Sequence, residues 1–305
     1  MPNTYLVKNF GQYNFRHARQ ILAGTPNPAA LITDAERAAA GLAYLHSTRS
    51  RRYRLVCDPW DGQAKGNKAQ AHGWLQAILQ LAPHNEAGLG VNLCPWADGC
   101  QDTCLSTAGR NGTTPAARAR ILRAWAWYYH PELFARTLTA DLTMLELDAE
   151  LGGLRPLFRP NGLTDHLNAR QYASERPSLT VSDYTKSAAR VLQWLRQGPA
   201  NLWMTYSASG PDDPNAAAIL DAGGNVAAVF DGPAPAACTV VTAWGRRVPV
   251  IDGDAHDVRP LDGRRPGGQL VWLQAKGAAK RGGSLVMPPG WGEAAGMVWG
   301  TADHA

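Results

Sequence analysis

Seven short apolar runs, with helical segments fitting between several of them, constrain the fold more than any other feature of this sequence. They occupy residues 89–93, 154–159, 179–182, 201–206, 226–230, 248–251 and 270–273. Runs of this length, bounded by turn-forming residues, read as strands, and strands that alternate with helices form parallel βα units with crossover connections. Helical spacing supports the connections. Ile121, Leu122, Trp125 and Tyr129 share a face of a helix ending near Tyr129, with Thr114 as expected N-cap and Pro115 in the first helical slot. Phe134, Leu138, Leu142 and Leu145 do the same over 132–151, and 188–197 and 215–220 are further helices. So many βα-like repeats predict an α/β fold, a full or partial parallel α/β barrel of TIM-like type.

Ahead of these repeats, residues 1–87 read as a mainly helical N-terminal extension, so the expected units are 1–87 and 88–305. Helices are expected at 14–23 and 34–46, the second with Thr33 as N-cap and Asp34 and Glu36 at the positive end of its dipole. A Gly/Pro break at 24–28 separates them. A basic strand-like run at 51–57, a turn at 58–62, a loop at 63–68 and a third helix at 71–81 complete the segment. The 305 residues suffice for a substantial core with an appendage, and 45% hydrophobic with 18% charged residues is a globular balance.

In parallel α/β folds ligands sit beyond the carboxyl ends of the strands, where loops from different strands meet. Six polar stretches fall there. The run at 89–93 ends at Cys94, and 154–159 leads into Asn161, Thr164 and Asp165. The third ends in Asp183, Tyr184 and Lys186, and the fourth in Tyr206 and Ser207. The sixth carries Asp252 and Asp254 with His256, Asp257 and Arg259 behind them, and the last carries Lys276 and Lys280. The acidic stretch suits a divalent cation, proton transfer or ribose hydroxyls, or it is a loop that Arg259 neutralises. Lys276 suits a phosphate or carboxylate.

Three of five cysteines, Cys94, Cys100 and Cys104, stand within eleven residues in the spacing C-x5-C-x3-C. Three thiolates can hold three irons of a [4Fe-4S] cluster and leave the fourth open to a cofactor such as S-adenosylmethionine. Zinc with a fourth ligand, for which Asp98 and His130 are candidates, is the second reading. A cysteine nucleophile with no metal is the third. Cys57 and Cys238 read as small apolar residues. The formal charge of +5 permits an anionic partner. Arginines cluster at 49, 51, 52 and 54 and again at 110, 118, 120 and 123, as phosphate contacts or as solvated faces. No apolar run approaches the roughly 18 residues that span a bilayer, and the first residues lack a basic stretch followed by an apolar one. A cytoplasmic protein with no membrane partner is expected, and in a reducing compartment a cysteine trio points to a metal or reactive site.

The ordered series from Asn92-Leu-Cys-Pro-Trp-Ala to Arg110, then 159–165, Asp183-Tyr-Thr-Lys186, 205–209, Val250-Ile-Asp-Gly-Asp254 and Lys276-Gly-Ala-Ala-Lys280, resembles the phage gene-product-eighty-eight family over roughly residues 88–290. The resemblance implies a viral or prophage origin and expression in a bacterial host cytoplasm. The cysteine loop is similar to that of radical S-adenosylmethionine enzymes, though the spacing differs from C-x3-C-x-x-C and no Gly-Gly-Glu follows the second strand. Asn161, Thr164 and Asp165 stand at the matching strand end. With Tyr206, Ser207 and Lys276 they are the expected cofactor-binding residues, and Asp183, Tyr184, Lys186, Asp252 and Asp254 the expected catalytic ones. A radical enzyme acting on a nucleotide or nucleic acid base is the first expectation. The alternatives are a zinc-containing base-modifying transferase or transglycosylase and a non-catalytic zinc protein that binds nucleic acid.

Overall fold

The computed structural model describes residues 33–60, 64–97, 99–235, 239–241 and 244–287. In chain order the elements are α1 (Asp34–Ser47), α2 (Ala64–Ala71), β1 (Trp74–Ile78), α3 (Thr114–Tyr129), α4 (Pro131–Leu151), β2 (Arg155–Arg159), α5 (Ala169–Glu175), β3 (Thr180–Thr185), α6 (Ala188–Gln197), β4 (Leu202–Ser207), α7 (Ala216–Asp221), β5 (Asn225–Phe230), β6 (Thr239–Val241), β7 (Arg247–Asp252), β8 (Gln269–Gln274) and β9 (Val286–Met287). The strand order is β1-β2-β3-β4-β5-β8-β7-β6, with β9 beside the end of β5. Every ladder is parallel except the antiparallel β6–β7 pair. The expected parallel α/β architecture is present.

Two expectations about where the sheet begins fail. Residues 89–93 are not a strand; Gly88 and Gly90 take φ of 62° and 70°, so the chain turns there. The first strand is β1, inside the stretch expected to be a helix over 71–81. All five of its residues are buried and its register runs from Trp74 opposite Arg155 to Ile78 opposite Arg159. Continuous burial on both faces suits a parallel strand and would leave a helix no polar side. The helix lies earlier, at α2, where a loop was expected. The sheet therefore starts upstream of residue 88, and one apolar core takes in residues from both sides of that point.

The segment 51–57 is a bend rather than a strand, with one antiparallel bridge, Val56 to Leu79. Three of its N–H groups find a side chain, the buried Asp141 carboxylate of α4, which accepts from Arg54, Leu55 and Val56 at 2.7–3.1 Å, and the Cys57 N–H donates to the Ile78 carbonyl of β1 at 2.9 Å. The N-terminus of α1 is the expected one, with Thr33 and Glu36 exchanging bonds in a capping box. The cap of α3 is Thr113 rather than Thr114, with proline in the first turn. The helix expected at 14–23 lies outside the described residues.

Alternation along the strands separates two faces of the sheet. Phe158, Val181, Leu202, Met204 and Val226 share one core with Trp125, Leu142, Val191 and Ile219 of the helices. The register sets Gln76, Leu157, Arg159, Ser182, Tyr184 and Thr205 on the other face. The connection from β7 to β8 covers that second face. Val258 packs with Trp74, Leu157 and Ala69, and Gln76 donates to the Asp257 carbonyl at 3.3 Å. Further along, Asn225 at the start of β5 donates to the Gly263 carbonyl, so the connection has by then reached the amino ends of the strands.

Candidate functional site

The cysteine loop spans the carboxyl ends of the strands. On the β2 side the Asp165 N–H donates to the Leu93 carbonyl at 3.0 Å, and Cys94 Sγ donates to the Leu163 carbonyl at 3.6 Å while accepting the His84 N–H at 3.4 Å. Three single 3-10 turns carry the chain from Gln101 to Gly112. On the β8 side the Ala278 N–H donates to Thr107 Oγ1 at 3.2 Å. Cys104 Sγ accepts the Ser106 N–H at 3.5 Å.

The three thiols lie in one another's field and form no disulfide. Burial pushes the Cys94 thiol up to about 12 against the pull of the His84 N–H, and Cys104, Cys100 and Asp165 add to the rise. Burial also raises Cys100, with Lys186 opposing it. Among the described residues, no three His, Cys, Asp or Glu side chains are gathered as ligands of one ion. Asp98 lies outside the described residues. His130 Nε2 stands 2.8 Å from the Ala38 carbonyl of α1.

Beside the cysteines sits a carboxyl network. Asp165 Oδ2 accepts from the Lys186 N–H at 2.8 Å and Thr185 Oγ1 at 3.1 Å, and Arg190 Nη1 is 3.6 Å from its other oxygen. Burial lifts this carboxyl to about 6 despite those partners. Asp183, wholly buried on the helix-covered face, accepts from Asn161 Nδ2 at 2.7 Å through one oxygen, and its other oxygen has no donor. Burial, and then the charge of Asp165, push it up to about 8. Asn161 Oδ1 in turn accepts from Thr164 Oγ1 and the Leu167 N–H, both at 3.1 Å. Lys186 Nζ donates to the Ser207 and Ala208 carbonyls at 3.2 and 2.9 Å and to Ser209 Oγ at 3.2 Å, bridging the ends of β3 and β4.

The structure thus brings Cys94, Cys100, Cys104, Asn161, Thr164, Asp165, Asp183 and Lys186 into one neighbourhood. The other expected residues have different surroundings. Tyr184 follows Asp183 on β3 and so points to the opposite face, where the Arg159 guanidinium lies 4.5 Å from its ring centre and burial raises the phenol to about 12. Tyr206 donates to both oxygens of Asp213 at 3.0 Å, while Ser207 meets Lys186 through its carbonyl. Asp252 is exposed and caps the Asp254 N–H at 2.8 Å; Asp254 pairs with Lys276 at the surface.

Sequence reasoning missed Arg190, which ties Asp165 to the ring of Trp96 at 4.3 Å. Arg159, which opens the polar stretch at 159–165, was given no role there and pairs with Asp257 at 3.4 Å. Both follow from strand alternation and helix phase once β1 is placed. Arg259, expected to neutralise its acidic loop, is buried and pairs with Asp262 at 3.2 Å. The two arginine clusters are partly structural. Arg52 pairs with Asp148, the buried Arg120 donates to the Asn111 carbonyl and pairs with Glu86, and Arg123 donates to the Gln80 carbonyl.

No helix among the described residues is long and apolar enough to cross a membrane. No curated protein and no solved structure matches the chain. A family model described as gene product 88 matches residues 55–286, from the bend ahead of β1 to the first residue of β9. The match extends upstream of the region read from motifs and takes in β1.

Proposed function

The chain belongs to the gene product 88 family, and on that footing we propose that it is an enzyme acting at the carboxyl ends of its parallel strands. In this reading Cys94, Cys100 and Cys104 hold a [4Fe-4S] cluster that binds S-adenosylmethionine, and the substrate is a nucleotide or a nucleic acid base. The sheet is read as a partial α/β barrel, with the face that carries Gln76, Arg159, Ser182 and Tyr184 as its interior.

One observation carries the reading: three thiols on a single loop, within one another's field, laid across the strand ends beside Asp165 and Lys186. Three cysteines are the donors that a cofactor-activating cluster takes, and holding one requires these side chains, not gathered on one point among the described residues, to draw together. When bound, the cluster would supply one-electron chemistry on S-adenosylmethionine.

The remaining roles fall to the chain's own side chains. Lys186, fixed by two carbonyls of the β4 end, keeps a positive charge near Cys100 and favours its thiolate. Asp165 and Asp183, lifted to about 6 and about 8, can each hold or release a proton near neutrality. Asn161 holds Asp183 in place through its amide and is itself held by Thr164. Across the sheet, Arg159 over Tyr184 offers a cation and a protonated phenol to a polar substrate.

Anaerobic purification tests this directly. Brown protein with about four irons per chain, and a Cys100→Ala variant that loses them, is the expected result. Colourless protein with one zinc per chain, or a Cys100→Ala variant that keeps its full metal content, would overturn the cluster.

A further inference from the structure

A cavity of about 260 Å³ opens between α5, α6 and β4, on the helix-covered side of the sheet. Its polar lining is two guanidiniums, Arg170 and Arg190, and two carboxamides, Asn168 and Gln193, with no carboxylate among them; Trp194 and Met204 belong to its apolar wall. The two arginines differ in how far they are already engaged. Arg190 donates to the carbonyls of Asp165, His166 and Leu167, each at 3.3 Å, and lies against Trp96. Arg170 donates to one carbonyl, that of Gln197 at 3.1 Å, and pairs with no carboxylate among the described residues.

Two guanidiniums with amide donors, one of them already paired with the Asp165 carboxylate at 3.6 Å and the other with no acid beside it, suit an acceptor-rich anion, and arginine's planar fork matches phosphate oxygens in particular. The volume lies just below the roughly 300 Å³ at which sites for drug-sized molecules begin. It accommodates a phosphate and the part of the molecule next to it, with the indole and thioether against the organic portion. We propose that this cavity binds the phosphate group of a nucleotide, with Arg170 as the principal contact and Arg190 as the fixed second charge. Phosphate binding here needs neither the thiols nor a metal.

The test uses the full chain and titrates three probes by calorimetry: inorganic phosphate, a nucleoside monophosphate, and a dinucleoside phosphodiester without a terminal phosphate. Binding of the monophosphate alone assigns a free nucleotide, and binding of the phosphodiester assigns the backbone of a strand. In either case Arg170→Gln should weaken binding at least tenfold. Arg196→Gln, on the same helix as Arg190 but outside the cavity lining, should change it less than twofold. Equal weakening by both variants, or no binding of any probe, would overturn the proposal. Metal content is measured on the same samples, so failure here is distinct from failure of the cluster.

Discussion

Replacing Asp183 by asparagine should change how the stability of this protein depends on pH. Its side chain is wholly buried, one oxygen bonds Asn161 and the other has no donor, so ionisation there is poorly compensated. Burial and the neighbouring Asp165 lift the carboxyl to about 8, against roughly 3.9 in an unfolded chain. Between those values the folded state retains a proton that the unfolded state has released. Linkage then fixes the sign: stability falls as pH rises from about 4 to about 8, by about 1.4 kcal/mol per pH unit between those values, and the loss is complete above both. Asparagine keeps the shape and an acceptor for Asn161 and cannot ionise. In urea titrations at pH 6, 6.5, 7 and 7.5, the variant should gain on the wild type by about 1–2 kcal/mol across the window. Parallel stability curves for the two proteins would show that Asp183 is ionised in the fold and that its burial has been misjudged.

Three further outcomes follow from contacts described above or from close backbone approaches. Asp141→Ala leaves the buried N–H groups of Leu55 and Val56 and the half-buried one of Arg54 without their acceptor. It should cost about 3–5 kcal/mol in urea unfolding at 1–3 kcal/mol per stranded donor, and a loss under about 1 kcal/mol would mean water takes over the bonds. Gly210 has φ 107° and a Cβ there would stand 2.3 Å from the Ser284 carbonyl oxygen, so Gly210→Ala should cost more than about 2 kcal/mol; an unchanged Tm would refute the close approach. Cys94, its thiol raised to about 12 by burial, should be alkylated at pH 8 roughly a hundredfold more slowly in the folded than in the urea-unfolded chain. Peptide mass mapping over time reads that ratio, and equal rates would contradict the burial.

Much of the sheet was legible because buried parallel strands are short apolar runs between turn residues. β2, β3, β4, β5, β7 and β8 fall on or within a few residues of the expected runs, and α6 spans the expected 188–197. The first strand was not. Trp74-Leu-Gln-Ala-Ile78 follows a helix and has only one β-branched residue, so its local preference says little, and tertiary pairing with β2 decides. The apolar run at 89–93 looked more like a strand, but the glycines at 88 and 90 turn the backbone out of one. The short helix α5 and strands β6 and β9 are too brief for periodicity to register. At the site, the rule of carboxyl ends led to Asp165 and Lys186, whereas Cys94 was reached through a strand at 89–93 that does not form. It could not show that Asp183 and Tyr184 part to opposite faces, or that Asp254 and Lys276 satisfy each other in solvent, because both depend on register and on neighbours distant in sequence.

The covering of the second sheet face by the β7–β8 connection has a consequence for how the chain can be made. Lys68 reaches the Asp254 carbonyl across 186 positions, Gln76 reaches Asp257 across 181, and Arg159 reaches the same residue across 98. A nascent chain emerging from the ribosome through β5 therefore carries Gln76 without Asp257 to accept from it and Arg159 without its carboxylate, leaving Arg159 only the ring of Tyr184. Closure of such long loops is slow, so the sheet matures late and all at once. Shortening the chain from its carboxyl end to before residue 254 would leave the early strands without their cover, and the first half of the protein is not expected to stand without the last.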